Sequence, residues 1–323
     1  MKILIIDPLF ETDTEIEREA AGADTELTFV MSRNGLIDDD SIYADADGLL
    51  NMRSMHKVPA ATIAKLKRCR AIQQGGVGYN HIDLVAAAKR GIAVMNTPNY
   101  GTTEVANHAV ALALNLLRGV QVYDRRLRRS NASWDAREIK CVRRTVGLRC
   151  GIIGLGRIGT ATALRAKALG FRVIFHDPYL PNGADKAVGI ARVRTLDELL
   201  AQTDVLSVHC PLNTETRHLI GSREIALLKP GTFVVNTARG AIIEKTAILA
   251  ALREGRLAGA GLDVIEDEPL RSLEEAATPN LIATCHAAFC SVESKIEMRG
   301  TSARIALAAV TGQKLENVVN GLA

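Results

Sequence analysis

The sequence is poor in three features, and each scarcity argues against a class of protein. It contains no uninterrupted apolar run of about 18 residues, so no membrane span is predicted. Aromatic residues make up only 4% of the 323 residues while Ala, Leu, Ile and Val dominate, which favours packed α/β layers over a β-sandwich. The net charge is only +4, whereas nucleic-acid-binding proteins normally carry a stronger and more localised basic face. No nucleic-acid partner is therefore expected.

The cysteines and the first residues indicate where the protein works. The six cysteines include no C-x-x-C pair and most lie in apolar runs, which is typical of reduced cysteines in a cytoplasmic protein. The run Ile3–Ile6 is too short for a signal peptide and ends at Asp7, so it is interpreted as a buried strand. No metal site is predicted. A cluster of basic residues is interpreted as a solvated helix face and the loop after it, and consists of Arg125, Arg126, Arg128, Arg129, Arg143 and Arg144.

Two series of alternating strand and helix patterns run along the chain. This alternation predicts two Rossmann- or flavodoxin-like α/β domains, each built on a parallel sheet, with a cleft between them. The predicted strands of the first series are Lys2–Asp7, Glu26–Val30, Gly48–Met52, Ala71–Gln74 and Ala93–Asn96, and the predicted helices are Glu11–Ala21, Ala60–Lys67, Ile82–Arg90 and Thr103–Arg118, the last capped by Thr102. The predicted strands of the second series are Leu148–Ile153, Arg172–His176, Val205–His209, Phe233–Asn236, Gly259–Val264 and Leu281–Thr284, with a capping box at Thr195–Glu198 and a closing helix at about Ser291–Val310 that could cross back to the first series.

The dinucleotide-binding pattern G-x-G-x-x-G occurs at Gly154, Gly156 and Gly159, between an apolar strand and a predicted helix over Ile158–Leu169. In this context Gly154 makes the tight turn, Gly156 lets a pyrophosphate approach the backbone and Gly159 allows close helix–strand packing. N–H groups at the start of the helix would hold the pyrophosphate. Asp177 ends the next strand, near the spacing of about 20 residues expected for a carboxylate that binds ribose hydroxyls. Because a carboxylate there repels a 2′-phosphate, the predicted cofactor is NAD rather than NADP.

Three residues suited to keto-acid chemistry each follow a predicted strand of the second series, where open α/β sheets bind ligands. Hydride transfer to a keto acid needs a cation that anchors the carboxylate and a proton donor at the carbonyl oxygen. Arg239 could grip the carboxylate with paired N–H donors, and His286 could donate the proton. Glu268 could hydrogen-bond the imidazole and fix its tautomer. Glu266 would serve that chemistry as well, and the choice between the two carboxylates stays open.

In this order, the motifs make the sequence resemble the D-isomer-specific 2-hydroxyacid dehydrogenases. The resemblance spans nearly the whole chain and rests on Gly76–Asp83, the glycine-rich turn, Asn236–Gly240, Asp263–Pro269 and the segment at His286. Within that family, Asp177–Leu180, His286–Phe289 and Ile296–Arg299 are similar to the C-terminal-binding-protein branch, which includes transcriptional corepressors as well as bacterial enzymes.

The resemblance implies roles for the candidate residues. Arg239 would orient the substrate, His286 would be the acid/base and Glu268 its partner. Residues 101–289 would form the NAD-binding domain, while residues 1–100 and about 290–323 would form the substrate-binding domain of a homodimer. The substrate would be bound by Gln74, Phe289 and the backbone N–H groups of Val77 and Gly78. The residues implied to contact NAD are Gly154, Gly156, Arg157, Ile158, Gly159, Asp177, Pro178, Cys210, Pro211, Thr216, Thr237, Ala238 and Asp263.

Several positions depart from the relatives. Cys285 replaces the proline that usually precedes the catalytic histidine, a change expected to affect packing more than chemistry. Phe289 and Gln74 stand where the corepressors have Trp and Arg, so a substrate cannot be transferred from them. Formate dehydrogenases have Gln where Glu268 stands, which argues against formate oxidation.

The predicted activity is the NADH-dependent reduction of glyoxylate, hydroxypyruvate or a similar small keto acid. Two alternatives stay open at this point. One is an NADH-sensing, corepressor-like binding protein, against which the lack of a Pro/Ser-rich tail counts. The other is a methyltransferase with a similar glycine-rich loop, which does not explain the order of Arg239, Glu268 and His286.

Overall fold

The computed structural model describes residues 1–9, 13–32, 37, 39–53, 56–129, 134–139 and 142–322. The chain divides into two compact units, of which the first comprises Met1–Gly101 with Cys290–Ala323 and the second comprises Thr102–Phe289. Each unit is built around one parallel β-sheet, so the prediction of two parallel-sheet α/β domains is confirmed. In the described part of the chain, no helix is both long enough and apolar enough to cross a membrane.

The first unit holds five parallel strands in the order β2-β1-β3-β4-β5. The inner strands are buried almost throughout, as expected where helices cover both faces of a parallel sheet. The strands are β1 (Lys2–Ile6), β2 (Glu26–Val30), β3 (Gly48–Asn51), β4 (Ala71–Gln74) and β5 (Ala93–Asn96), and the helices are α1 (Glu15–Ala21), α2 (Ala60–Lys65), α3 (Leu84–Lys89) and α12 (Val292–Val310), with a 3₁₀ turn at Asp40–Tyr43.

The second unit holds seven parallel strands in the order β12-β11-β10-β9-β6-β7-β8. The chain order reverses between β9 and β6, and in open α/β sheets ligands bind outside the carboxyl ends of the strands at such a point. The strands are β6 (Arg149–Ile153), β7 (Arg172–His176), β8 (Ala191–Arg192), β9 (Val205–Val208), β10 (Thr232–Asn236), β11 (Leu257–Leu262) and β12 (Leu281–Ala283). The helices are α4 (Thr102–Arg118), α5 (Val120–Leu127), α6 (Arg157–Ala168), α7 (Ala184–Val188), α8 (Leu196–Gln202), α9 (Ser222–Leu227), α10 (Lys245–Arg253) and α11 (Leu273–Ala276), with 3₁₀ turns at Ala136–Glu138 and Gly240–Ile242.

Two glycines in β11 allow α4 to pack closely against the second sheet. A Cβ atom on Gly261 would lie 2.9 Å from Cβ of Leu112, and one on Gly259 would lie 2.9 Å from a methyl carbon of Leu116. A glycine inside a strand often marks such a close approach. The packing anchors α4 behind the strands that carry the candidate catalytic residues.

The boundaries differ from the predicted ones by small amounts. Thr102 was predicted as the cap of α4, but the helix begins at Thr102 itself. Helix α1 begins at Glu15 rather than Glu11, and residues 10–12 lie outside the described part of the chain. The capping box of α8 is confirmed, since Thr195 and Glu198 bond each other's backbone. The edge strand β8 was not predicted because two residues are too short to reveal a period.

Candidate active site

The glycine-rich turn connects β6 to α6, and packing within the protein explains two of its three glycines. Gly154 has φ +84°, and a Cβ there would lie 2.8 Å from the backbone nitrogen of Cys210. A Cβ on Gly159 would lie 2.0 Å from the carbonyl oxygen of Gly154. At Gly156, by contrast, a Cβ would meet nothing within 4 Å. The backbone at Gly156 is thus open to a ligand, whereas Gly154 and Gly159 are packed against other backbone atoms of the protein.

The turn has the features that a dinucleotide requires. No side chain caps the start of α6, so its first N–H groups, from Arg157 and Ile158 onward, can hold a pyrophosphate. Asp177, directly after β7, accepts hydrogen bonds from the backbone N–H groups of Leu155 at 2.9 Å and Tyr179 at 3.0 Å. These bonds fix the carboxylate beside the glycine-rich turn, next to Pro178, where it can accept from ribose hydroxyls. The residues present fit NAD.

The remaining predicted NAD contacts fall into two groups. Thr237, after β10, has a buried hydroxyl with no hydrogen-bond partner in the described structure, so it can still bond a ligand, and Ala238 follows it. Cys210 is buried just after β9, and burial raises the pKa of its thiol to about 12, so it contributes shape rather than charge. Thr216 is engaged within its own loop, where its hydroxyl donates to the carbonyl of Pro211 at 2.6 Å.

The candidate acid/base is in contact with a carboxylate. Nδ1 of His286 lies 3.0 Å from Oε2 of Glu268, and both side chains are about one-third exposed, at 34% and 40%. The two residues follow β12 and β11, which are neighbours in the sheet. The arrangement leaves Nε2 of His286 as the nitrogen that can exchange a proton with a ligand.

The neighbouring carboxylate, Glu266, has a different partner. Its Oε1 lies 2.6 Å from Nε2 of His218 and 3.2 Å from Nη2 of Arg217. Burial would raise the pKa of Glu266, but the hydrogen bond and charge of His218, with Arg217, outweigh it and lower that pKa. Of the two carboxylates left open by the sequence, Glu268 is the one that contacts His286.

Arg239 stands at the carboxyl end of β10, the next strand in the sheet. Asn236 shapes its turn, because the amide of Asn236 donates to the carbonyl of Arg239 at 2.9 Å and accepts from Ala238 N–H at 3.0 Å. Gly240 lies against the segment that carries Glu268, since a Cβ there would be 2.1 Å from the carbonyl carbon of Ile265. The carboxyl ends of three adjacent strands therefore carry the predicted Arg–Glu–His set.

Asp263, a predicted NAD contact, is buried beside the turn that carries His286. It is 2% exposed, and its carboxylate accepts from the hydroxyl of Thr284 at 2.5 Å and from the N–H groups of Ala287 at 2.8 Å and Ala288 at 3.0 Å. These donors belong to the turn that carries His286. Asp263 thus holds that turn.

The predicted substrate contacts divide between the two units. Phe289 lies in the second unit, three residues beyond His286. In the first unit, Gln74 ends β4 and its Oε1 lies 2.7 Å from Nε2 of His81 and 3.3 Å from Nδ2 of Asn51. The amide of Asn96 donates to the carbonyl of Val77 at 2.7 Å and so orders the turn that includes Gly78.

Sequence reasoning missed His209, which directly follows β9 at the switch point. Its Nε2 lies 2.8 Å from Oγ of Ser207, and its Nδ1 is buried without a partner in the described structure. Burial lowers the pKa of His209 to about 4. Its position at a strand end was the only available signal.

In the described part of the chain, no group of three or more His, Cys, Asp or Glu side chains could hold a metal ion.

Together, the strand order, the glycine-rich turn and the Arg–Glu–His set define a dinucleotide-binding α/β protein with a candidate acid/base site. Residues 110–288 match the family described as "D-isomer specific 2-hydroxyacid dehydrogenase, NAD binding domain". The chain therefore belongs to the D-isomer-specific 2-hydroxyacid dehydrogenase family, and its second unit carries the NAD-binding domain of that family.

Individual relatives agree with this assignment. A D-3-phosphoglycerate dehydrogenase from Methanocaldococcus jannaschii is 34% identical over 320 residues, which are 99% of this chain and 59% of that protein. The chain spans 59% of the length of the curated relatives that it matches. The structure of a D-lactate dehydrogenase from Aquifex aeolicus with NAD and lactic acid has a TM-score of 0.85 and 28% identity, covering 96% of both chains. That of a glyoxylate reductase from Paecilomyes thermophila has a TM-score of 0.86 and 29% identity, covering 98% of both.

Proposed function

We propose that this protein is an NAD-dependent dehydrogenase that interconverts a small 2-keto acid, such as glyoxylate or hydroxypyruvate, and the corresponding D-2-hydroxy acid. The observation that carries the proposal is the 3.0 Å contact between Nδ1 of His286 and Oε2 of Glu268. It lies at the carboxyl edge of the sheet that bears the glycine-rich turn and Arg239. A paired imidazole at that edge is the group that keto-acid reduction needs.

The glycine-rich turn would hold NADH, which would supply the hydride. The protein supplies the proton and holds the substrate. Nδ1–H of His286 donates to Glu268, so Nε2–H donates to the keto oxygen as it gains negative charge. Glu268 keeps the ring in the orientation in which Nε2 can act. Arg239 pairs its N–H donors with the substrate carboxylate and so fixes the keto group relative to His286.

The proposed cofactor preference for NAD over NADP rests on Asp177. Its carboxylate is held beside Leu155, where a 2′-phosphate would meet a fixed negative charge. The guanidinium of the nearby Arg192 donates to the carbonyl oxygens of Asp177 at 2.5 Å and Leu180 at 3.0 Å. These N–H donors of Arg192 are therefore engaged within the loop. Rates with NADH and NADPH test this directly, and equal kcat/KM values would contradict it.

The proposed substrate carries a neutral substituent. In the described part of the chain, Oε1 of Gln74 contacts an amide from Asn51 and an imidazole from His81. A phosphate substituent is normally bound by guanidinium or ammonium groups. This favours glyoxylate or hydroxypyruvate over a phosphorylated keto acid, although the curated relatives are called D-3-phosphoglycerate dehydrogenases.

A substrate panel tests the proposal. The purified protein is incubated with NADH and, separately, glyoxylate, hydroxypyruvate, pyruvate and phosphohydroxypyruvate, and the loss of NADH absorbance is recorded. Turnover of the small neutral acids supports the proposal. NADH binding without turnover of any of them would contradict it and favour a cofactor-sensing role.

We also propose a cytoplasmic homodimer, as the family resemblance implies. The five cysteines in the described part of the chain are unpaired thiols, which fits a reducing compartment.

The proposed dimer is supported by apolar side chains on α5 and beyond it. They are exposed in the single chain, at 56% for Val120, 44% for Leu127 and 90% for Trp134. A mass of one chain by light scattering at micromolar concentration would contradict the dimer.

A further inference from the structure

We propose that His108, on α4, is a positioning residue for His286 that acts through Thr284 and Asp263. The proposal rests on the proposed function, because it concerns the residue assigned as the proton donor. His108 lies 178 positions before His286 in the chain, and nothing in the sequence links the two.

The starting point is the backbone of His286. Its φ is +54°, a left-handed backbone conformation that residues other than glycine rarely adopt. Such a conformation is energetically unfavourable and persists only where the surroundings enforce it. The turn from Thr284 to Ala288 must therefore be held by specific contacts.

Asp263 supplies most of those contacts. Its carbonyl oxygen accepts from the N–H of His286 at 2.8 Å, and its carboxylate accepts from Ala287 and Ala288 N–H groups. Three consecutive backbone donors thus converge on one residue. The geometry of the proton donor depends on where this buried carboxylate is placed.

His108, on α4, contacts the first residue of the turn, Thr284. Its Nε2 lies 3.0 Å from Oγ1 of Thr284 and 3.7 Å from Oδ1 of Asp263. The Thr284 hydroxyl has a single hydrogen, which it donates to Asp263 at 2.5 Å, so it can only accept from His108. The chain of donors runs from His108 Nε2–H to Thr284 and on to Asp263. Without His108, one acceptor site of the Thr284 hydroxyl loses its donor and the turn loses its tie to α4.

Matched substitutions test the role. In His108→Leu the donor is lost, whereas His108→Gln keeps an N–H at similar reach; Thr284→Val and Thr284→Ser form the corresponding pair for the hydroxyl. We expect kcat for keto-acid reduction to fall about tenfold in His108→Leu and Thr284→Val, with KM and NADH affinity unchanged. His108→Gln and Thr284→Ser should recover most of that loss. The double variant His108→Leu/Thr284→Val should lose no more than the larger single loss, because both remove one chain of bonds.

Hydrogen–deuterium exchange provides a readout that needs neither substrate nor cofactor. The N–H groups of His286, Ala287 and Ala288 should exchange about tenfold faster in His108→Leu, while those of β9 stay unchanged. If the wild-type protein reduces no keto acid but this exchange change occurs, the proposed function fails and the positioning role stands. If turnover is present and neither kcat nor exchange responds to the substitutions, the positioning role is wrong. An equal loss in His108→Leu and His108→Gln, with faster exchange throughout the unit, would likewise overturn it.

Discussion

Glu268 and His286 are joined by a 3.0 Å contact between Oε2 and Nδ1, although they lie 18 positions apart in the chain. Glu266, two positions from Glu268, instead contacts His218 at 2.6 Å. Asp267, which lies between the two glutamates, has φ +58°, so the segment after β11 turns there and the two side chains do not share one face as they would in an extended strand. The segment after β11 thus supplies two carboxylates: Glu268 contacts the candidate acid/base, and Glu266 contacts His218 in a neighbouring loop.

Paired substitutions of the two carboxylates should separate their roles. We expect Glu268→Gln to lower kcat about tenfold to a hundredfold, because the amide no longer stabilises the imidazolium as a carboxylate does. Glu266→Gln, whose partners are His218 and Arg217, should lower kcat less than threefold, a change within about 0.6 kcal/mol. Steady-state kinetics on both variants give the comparison. A larger loss in Glu266→Gln would reverse the assignment.

Replacing the proton donor itself should remove turnover without removing the cofactor. We expect His286→Gln to lower kcat about a hundredfold or more, since general acid catalysis contributes about 10²–10⁴. NADH affinity should stay within about threefold of the wild type, because the residue lies outside the glycine-rich turn. Fluorescence titration with NADH and stopped-flow turnover provide the two measurements. Unchanged turnover would rule out His286 as the acid.

The glycine-rich turn offers a matched pair of substitutions. Gly156→Ala adds a methyl group where nothing lies within 4 Å, so the unfolding free energy should change by less than about 1 kcal/mol. Its NADH Kd should rise at least about tenfold, because the pyrophosphate must approach that atom. Gly159→Ala puts a Cβ 2.0 Å from the Gly154 carbonyl oxygen and should destabilise the fold by about 2 kcal/mol or more. Urea titrations and NADH binding on both variants test the contrast; a Gly156→Ala protein with wild-type affinity would contradict it.

A buried ion pair ties α12 to α1 in the first unit. Nε and Nη2 of Arg299 lie 2.6 and 2.7 Å from the two carboxylate oxygens of Glu17, which is fully buried. Arg299→Met leaves that carboxylate unpaired, so we expect a loss of about 3–5 kcal/mol of unfolding free energy. Arg304→Met, on the exposed face of α12, should cost less than about 0.5 kcal/mol. If chemical denaturation gives equal values for the two variants, the ion pair has no special role in stability.

The buried His209 should make stability fall in acid. Its pKa is about 4 in the folded protein, against about 6.5 when the chain is unfolded. Between these values the unfolded state binds the proton and the folded state does not, so the stabilisation is complete above pH 6.5 and is lost as the pH falls to 4. The full loss is about 3 kcal/mol. His209→Gln cannot titrate, so the wild-type advantage over it should shrink by that amount between pH 7.5 and pH 4; a constant difference would contradict the prediction.

Short-range patterns in the sequence predicted the parts of the protein that depend on neighbours in the chain. The alternation of buried runs and helical periods identified eleven of the twelve described strands to within one or two residues, and glycine spacing identified the turn between β6 and α6. Asp177 was predicted by spacing alone, and the structure holds its carboxylate against the N–H of Leu155. Such features are local, so the identity and spacing of the residues determine them.

Contacts between distant segments were decided only by the tertiary structure. The sequence could not choose between Glu266 and Glu268, because both follow β11 and either carboxylate suits the chemistry. It gave no sign that the Asp263 carboxylate, predicted as an NAD contact, also accepts hydrogen bonds from the turn that carries His286. These outcomes depend on the sheet order β12-β11-β10 and on α4 packed behind it, which bring together the side chains of His108 and Thr284, 176 positions apart in the chain. Spacing along the chain carries no information about that order, and the order is what brings His108 and His286 onto one network.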